Sequence, residues 1–275
     1  MKKNIIFDRY LKEIEKKCSE ATVSTYKCRL STALRNMHFK DCTDISNADA
    51  QLFVESLMKT YKSKTVRTIY DVVNAAYKLA VKDGYILSNP FEHISMEVTE
   101  KYCPVCLNTE EIQDLLYTSS YNSNIYLPVL LTIETGLRRN KVLMLTWNDV
   151  DFATSIITVY KSSSNERICI TMSDYLSETL LSIKNYSRSM GISVTAKDYI
   201  CLTGTNMAME PTYFNKLFRA FVRANDNIPN NIRFEDLRFL LKNNNVKSLE
   251  EYIKVVNEAG NINFKNNYYG NRYVA

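Results

Sequence analysis

Apolar side chains recur at three- and four-residue steps through the first hundred residues. Phe7, Tyr10, Leu11, Ile14 and Cys18 form one set, and Val23, Tyr26, Leu30, Ala33, Leu34 and Met37 form a second. That spacing puts each set on one face of a helix, so two amphipathic helices are predicted. A third is expected to open near Asn47, a good N-cap, and to carry Leu52, Phe53 and Leu57. A fourth carries Val66, Ile69, Val73, Ala76 and Ala80 on one side and stops at Gly84. Its opposite side shows Lys64, Arg67, Asp71, Asn74, Lys78 and Lys82 at the same steps. This stripe reads either as a solvated helix face or as a track for nucleic-acid phosphates, with Lys64, Arg67 and Lys78 as the contacts.

The pattern breaks after the turn signal Asn89-Pro90, and little periodicity remains up to Asn108. A helical domain over 1–95, a linker over 96–108 and a second domain over 109–275 are the expected division. Asn108 with Glu111 makes a capping box ahead of Ile112, Leu115 and Leu116, and a more apolar helix follows from Ile125 to Ile133. Two short alternating runs, Ile156 to Tyr160 and Arg167 to Thr171, flank a polar stretch and predict a β-hairpin. Helices return with Leu176, Leu180 and Ile183, and again with Tyr213, Leu217, Phe218, Phe221 and Val222. The predicted class is mainly α with a small β-sheet.

Composition narrows the reading only slightly. Thirty-five basic side chains against 30 acidic ones leave a net charge of +5, which permits a polyanionic partner without demanding one. Seven cysteines in an irregular arrangement are not a secreted disulfide framework, so reduced thiols in the cytoplasm are expected. Cys103 and Cys106 form one CxxC, but no second pair stands at zinc-ligand spacing, and no metal site is expected. No apolar stretch of about 18 residues predicts a membrane span, and the charged start gives no signal-peptide core.

The specific signal is Thr135-Gly136-Leu137-Arg138 at the end of the apolar helix, followed by Leu143, Leu145, Trp147 and Asp149. It resembles the first-arginine box of the tyrosine recombinases, the phage-integrase family, and later landmarks occur in the family order. The hairpin with Lys161 resembles the one that carries the family's active-site lysine. Ile232-Arg233-Phe234-Glu235-Asp236-Leu237-Arg238 resembles the HxLR box, and Ala259-Gly260-Asn261 resembles the Leu-Gly-His box. Thr22 to Tyr26, Thr65 to Ala80 and Gly84 to Phe91 resemble the family's core-binding domain, without an additional N-terminal arm-binding domain.

The resemblance implies a helical core-binding domain and a mixed α/β catalytic-type domain closing as a C-shaped clamp on double-stranded DNA. It implies a monomer in free solution and a homo-tetramer on DNA that exchanges C-terminal segments. A tyrosine would attack the scissile phosphodiester and leave a 3′-phosphotyrosyl link and a free 5′-hydroxyl, with no cofactor. Tyr269 is the favoured nucleophile, with Tyr268 and Tyr273 as alternatives. Arg138 and Arg238 would grip the phosphate through planar, permanently charged donors, and Lys161, placed at the hairpin tip, would protonate the leaving oxygen.

The imidazole role has no candidate, because the two histidines, His38 and His93, precede the second domain. Glu235 stands at the HxLR histidine position, Phe239 follows Arg238 where another histidine is common, and Asn261 replaces the later His or Trp. A carboxylate at 235 would repel the phosphate or neutralise the clamp unless protonated or paired. Lys141 stands where the family has an acid, which raises the idea of a compensating Lys141–Glu235 pair. Two readings therefore stay open, an integrase-like recombinase with altered acid–base groups and a DNA-binding relative impaired in cutting.

Overall fold

The computed structural model describes residues 4–37, 41–96, 102–161, 164–189, 194–203 and 207–240. The chain divides into two compact units, Met1–Tyr102 and Cys103–Ala275. Each has its own hydrophobic core.

The first unit contains helices α1 (Ile5–Glu15), α2 (Glu20–Asn36), α3 (Asn47–Thr60) and α4 (Ser63–Lys82). Asn4 starts α1 by accepting hydrogen bonds from the backbone N–H groups of Ile6 and Phe7. The sequence pointed to Asn47 as the cap of α3, but Ser46 is the cap and Asn47 is the first helical residue. The reason is local: Ser46 Oγ accepts from Asp49 N–H while the Asp49 carboxylate accepts from Ser46 N–H, a reciprocal box that Asn47 cannot make. Gly84, at φ +76°, supplies the left-handed residue after α4.

Val66, Ile69, Val73, Ala76 and Ala80 are all buried along α4. Phe91 returns onto this helix, fully buried, with its ring 4.7 Å from Tyr77 and 6.0 Å from Phe53. The Tyr70 hydroxyl donates to the Phe91 carbonyl at 2.6 Å, and Asn89 donates to Asn74 at 2.7 Å. Asn74 therefore belongs to the structural pinning of the Asn89-Pro90-Phe91 turn and not to an open polar stripe.

The second unit opens with α5 (Thr109–Ser119), capped by Asn108 and Glu111 as their spacing predicts. Helix α6 (Ser123–Thr135) is buried nearly all round, which suits its almost unbroken apolar run. A short α7 (Arg139–Leu143) and a 3-10 turn (Trp147–Asp149) lead into a three-stranded antiparallel sheet. Its strands are β1 (Val150–Asp151), β2 (Ile156–Tyr160) and β3 (Arg167–Thr171), in the order β1-β2-β3.

The predicted hairpin is β2–β3, with Ile156 opposite Thr171 and Tyr160 opposite Arg167. Ile157 and Val159 of β2 face the core, as alternation requires. The two-residue β1 was invisible in the sequence because it is too short to show alternation. Helices α8 (Asp174–Ser189) and α9 (Pro211–Arg223) follow, and a second 3-10 turn spans Phe234–Phe239. Among the described residues, no helix is long and apolar enough to cross a membrane.

Candidate functional site

The Thr-Gly-Leu-Arg box is built as a stapled corner at the end of α6. Thr135 Oγ1 donates back to the Leu131 carbonyl and accepts from Leu137 N–H at 3.2 Å. Gly136 takes the left-handed conformation (φ +64°, ψ 12°) that closes the helix and reverses the chain. Leu137 anchors the corner in the core at 9% exposure, and Arg138 then stands exposed as the residue before α7. The Arg138 side chain has no ion pair among the described residues.

The second-arginine turn is seated on this corner. Arg238 Nε donates to the Gly136 carbonyl at 2.9 Å, a contact spanning 102 residues of sequence. A Cβ at 136 would meet the Arg238 carbonyl oxygen at 3.6 Å, an ordinary contact, so it is the positive φ and not lack of space that calls for glycine. The turn itself is held by burial. Phe234 packs almost perpendicular to Phe214 and Phe218 of α9, with ring centroids 4.7 and 5.3 Å apart. Asp236, 1% exposed, accepts from Arg233 N–H at 2.9 Å and closes the turn.

Thus the fold brings the Arg138 and Arg238 boxes together. The Arg238 side chain keeps 24% of its surface exposed, and its NH1 lies 3.8 Å from Glu235, which is 45% exposed. The guanidinium also lies 5.5 Å from the Phe239 ring. Glu235 therefore stands beside Arg238 and pairs with it from three residues away. No ion pair joins Lys141 to Glu235 among the described residues, so the suggested exchange is not made.

Lys161 was expected at the hairpin tip and stands instead at the mouth of the β2–β3 loop, directly after β2. Its backbone N–H donates to the Glu166 carbonyl at 2.8 Å, and its Nζ lies 2.6 Å from the Glu166 carboxylate. Both side chains are about half exposed, so the amine is held by a solvent-screened pair.

Lys64, Arg67 and Lys78 lie exposed on α4. Arg67 pairs with Asp71 at 3.2 Å and rests 5.6 Å over the Tyr70 ring, so one member of the stripe is internally neutralised. Asn261, Tyr268, Tyr269 and Tyr273 lie outside the described residues. Cys103 and Cys106 are free and exposed thiols.

One charged group near the first box escaped the sequence reading. Glu134, just before Thr135, accepts from Ser173 Oγ at 3.0 Å, and Ser173 in turn caps the start of α8 by accepting from Leu176 N–H. Burial raises the Glu134 carboxyl from its ordinary 4.5 to about 7, offset in part by that hydrogen bond. Nothing in the local sequence marks Glu134 as buried, because an acid in the last turn of a helix is ordinarily solvated.

The family model described as "Phage integrase family" matches residues 106–253. The chain belongs to the phage integrase family and is integrase-like, of the tyrosine recombinase type, in sequence and fold. Among its relatives, tyrosine recombinase XerD of Staphylococcus haemolyticus is 25% identical over 254 residues, covering 86% of this chain and 85% of that protein. XerC of Bacillus subtilis is also 25% identical, over 191 residues, which is 66% of this chain and 62% of XerC. Two solved structures share the fold: lambda integrase bound to DNA (TM-score 0.66, 18% identity, 86% of this chain and 83% of that one) and the Tn1549 transposon integrase with circular intermediate DNA (0.68, 19%, 98% and 96%).

Proposed function

We propose that this protein binds duplex DNA and holds one backbone phosphate between Arg138 and Arg238, as a site-specific recombinase of the integrase type serving a mobile element. The observation that carries this is the Arg238 Nε to Gly136 carbonyl bond, which spends one donor on placing the guanidinium and leaves its other end for a phosphate. A planar, permanently charged donor pair suits the charge that develops on a pentacoordinate phosphate. In this reading the helical unit 1–95, the linker 96–108 and the unit 109–275 act as core-binding domain, tether and catalytic-type domain. The Lys64, Arg67 and Lys78 stripe supplies phosphate contacts, Tyr269 is the nucleophile, and the assembly on DNA is a homo-tetramer.

A second reading, a DNA-binding relative impaired in cutting, is favoured by two distances. Glu235 offers its carboxylate to Arg238 at 3.8 Å, and Glu166 holds the Lys161 amine at 2.6 Å. Both compete with phosphate for the cations that the chemistry needs, and the second unit contains no histidine to take over proton transfer.

Covalent trapping on nicked DNA bearing the element's own end sequence separates the readings. A protein–DNA adduct that disappears in Tyr269→Phe and in Arg238→Ala supports the recombinase. Binding without adduct, weakened steeply by salt, supports the impaired relative, and binding indifferent to both salt and Arg238→Ala contradicts the phosphate clamp altogether.

A further inference from the structure

Helix α9 presents a second cationic feature that includes neither Arg138 nor Arg238. Phe214, Phe218 and Val222 turn one side of the helix into the core, while Lys216, Arg219 and Arg223 recur on the exposed side at three- and four-residue steps. After the helix the chain turns over the buried Ile228 and comes back as Asn230–Arg233 before entering the second-arginine turn. A cavity of about 180 Å³ lies between the helix end and the returning segment, lined by Arg219, Arg223, Arg233, Asn230 and Asn231 over an apolar floor that includes Val222.

The lining holds three guanidinium groups and two carboxamides and no carboxylate. Arg219 and Arg223 make no side-chain ion pair among the described residues, so their charges are not neutralised there by the protein. The space is large enough for a phosphate group with part of its hydration. Guanidinium forks match phosphate oxygens in pairs, and the asparagine amides add neutral donors at the rim. Placing the Arg219 and Arg223 charges on one cavity is unfavourable until an anion enters it.

We propose that this pocket is a phosphate-binding site distinct from the Arg138–Arg238 clamp. Its ligand chemistry is a phosphate group, supplied by the DNA backbone or by a free oligophosphate, and only the DNA source rests on the function proposed above. Its position next to the second-arginine turn would let a DNA phosphate seated here fix the duplex relative to Arg238, through contact with Arg233 of the same segment.

The test uses the full chain with two probes, tripolyphosphate and a short random-sequence duplex, each titrated against the wild type, the Arg219→Gln/Arg223→Gln double variant and Arg138→Ala. Both arginines of the double variant are exposed, so its fold should be unchanged by circular dichroism. We expect the double variant to bind tripolyphosphate about tenfold or more weakly, a larger loss than Arg138→Ala causes. For the duplex, the slope of log affinity against log salt should shrink by about 0.9 for each phosphate that the variant no longer neutralises, and tripolyphosphate should compete with the duplex. Pocket-dependent tripolyphosphate binding with no duplex response assigns the site to free oligophosphate. If the wild type binds no duplex, the proposed function fails while the tripolyphosphate arm still judges the pocket. Tripolyphosphate binding that is undetectable in the wild type, unchanged in the double variant, or abolished only in Arg138→Ala overturns the proposal.

Discussion

The second-arginine turn and the end of the β2–β3 hairpin each carry one cationic side chain of the candidate site, and they hold it by different physics. Arg238 rides on a turn fixed by Phe234 against two rings of α9, by the buried Asp236 and by a backbone carbonyl of a distant helix end. Lys161 is held by a single ion pair whose two partners are both about half in water. Burial and carbonyl bonding set a geometry that salt cannot dissolve, whereas an exposed ion pair sets one that ions, or a phosphate, can displace. The contrast is between a rigidly placed arginine and an exchangeable lysine.

The largest effect should come from breaking the rigid side. Phe234→Ala removes the ring that joins the turn to α9, and core aromatic truncations cost about 3–5 kcal/mol. Urea unfolding at neutral pH measures it. A cost below about 1 kcal/mol would mean that burial is not what places Arg238.

Glu134 tests the junction's other support, with a pH signature. Its carboxyl is raised from 4.5 to about 7 in the folded protein, so folding favours the neutral form. The associated stability is fully present below pH 4.5 and is lost as pH rises through the folded value near 7. The 2.5-unit gap between those two values corresponds to about 3 kcal/mol. Tyr175 of α8 is the ionisable neighbour that faces it, and its own value is raised chiefly by burial, so it stays neutral across this window. Glu134→Gln should flatten the fall in stability between pH 5 and pH 8, read from denaturant midpoints at each pH. An undiminished fall in that variant would assign the pH dependence to other groups.

The smallest effect should come from the hairpin end. Glu166→Gln leaves Lys161 without its carboxylate, and an exposed pair of this kind contributes about 0–1 kcal/mol. Thermal unfolding at low and high salt should barely distinguish the variant from wild type. A loss above about 2 kcal/mol would erase the contrast with the arginine turn and make the lysine as fixed as Arg238.

The elements with strong local signals were legible in advance. The capping box at Asn108 and Glu111, the apolar run of α6 and the period-two hairpin each encode their geometry within a few residues, and all three occur at the expected places. The Thr-Gly-Leu-Arg box was legible through its resemblance to a family motif, and the structure adds that its threonine staple, left-handed glycine and leucine anchor are adjacent in sequence. The cap of α3 slipped by one residue because two good capping residues stand side by side, and the choice fell to the one with an acid three positions later.

What the sequence alone determined is therefore the longer helices, the hairpin, the order of the motifs and the family to which they belong. What only the tertiary structure decided is which charges act and which are spent. Arg238 bonds to Gly136, Glu235 sits against Arg238, Lys161 is tied to Glu166, Asn74 serves a turn, and three arginines separated in sequence line one cavity. Local propensity is carried by neighbouring residues, so a single sequence exposes it. Electrostatic partnership depends on distances of a few ångströms between residues up to a hundred positions apart, and only packing brings those together.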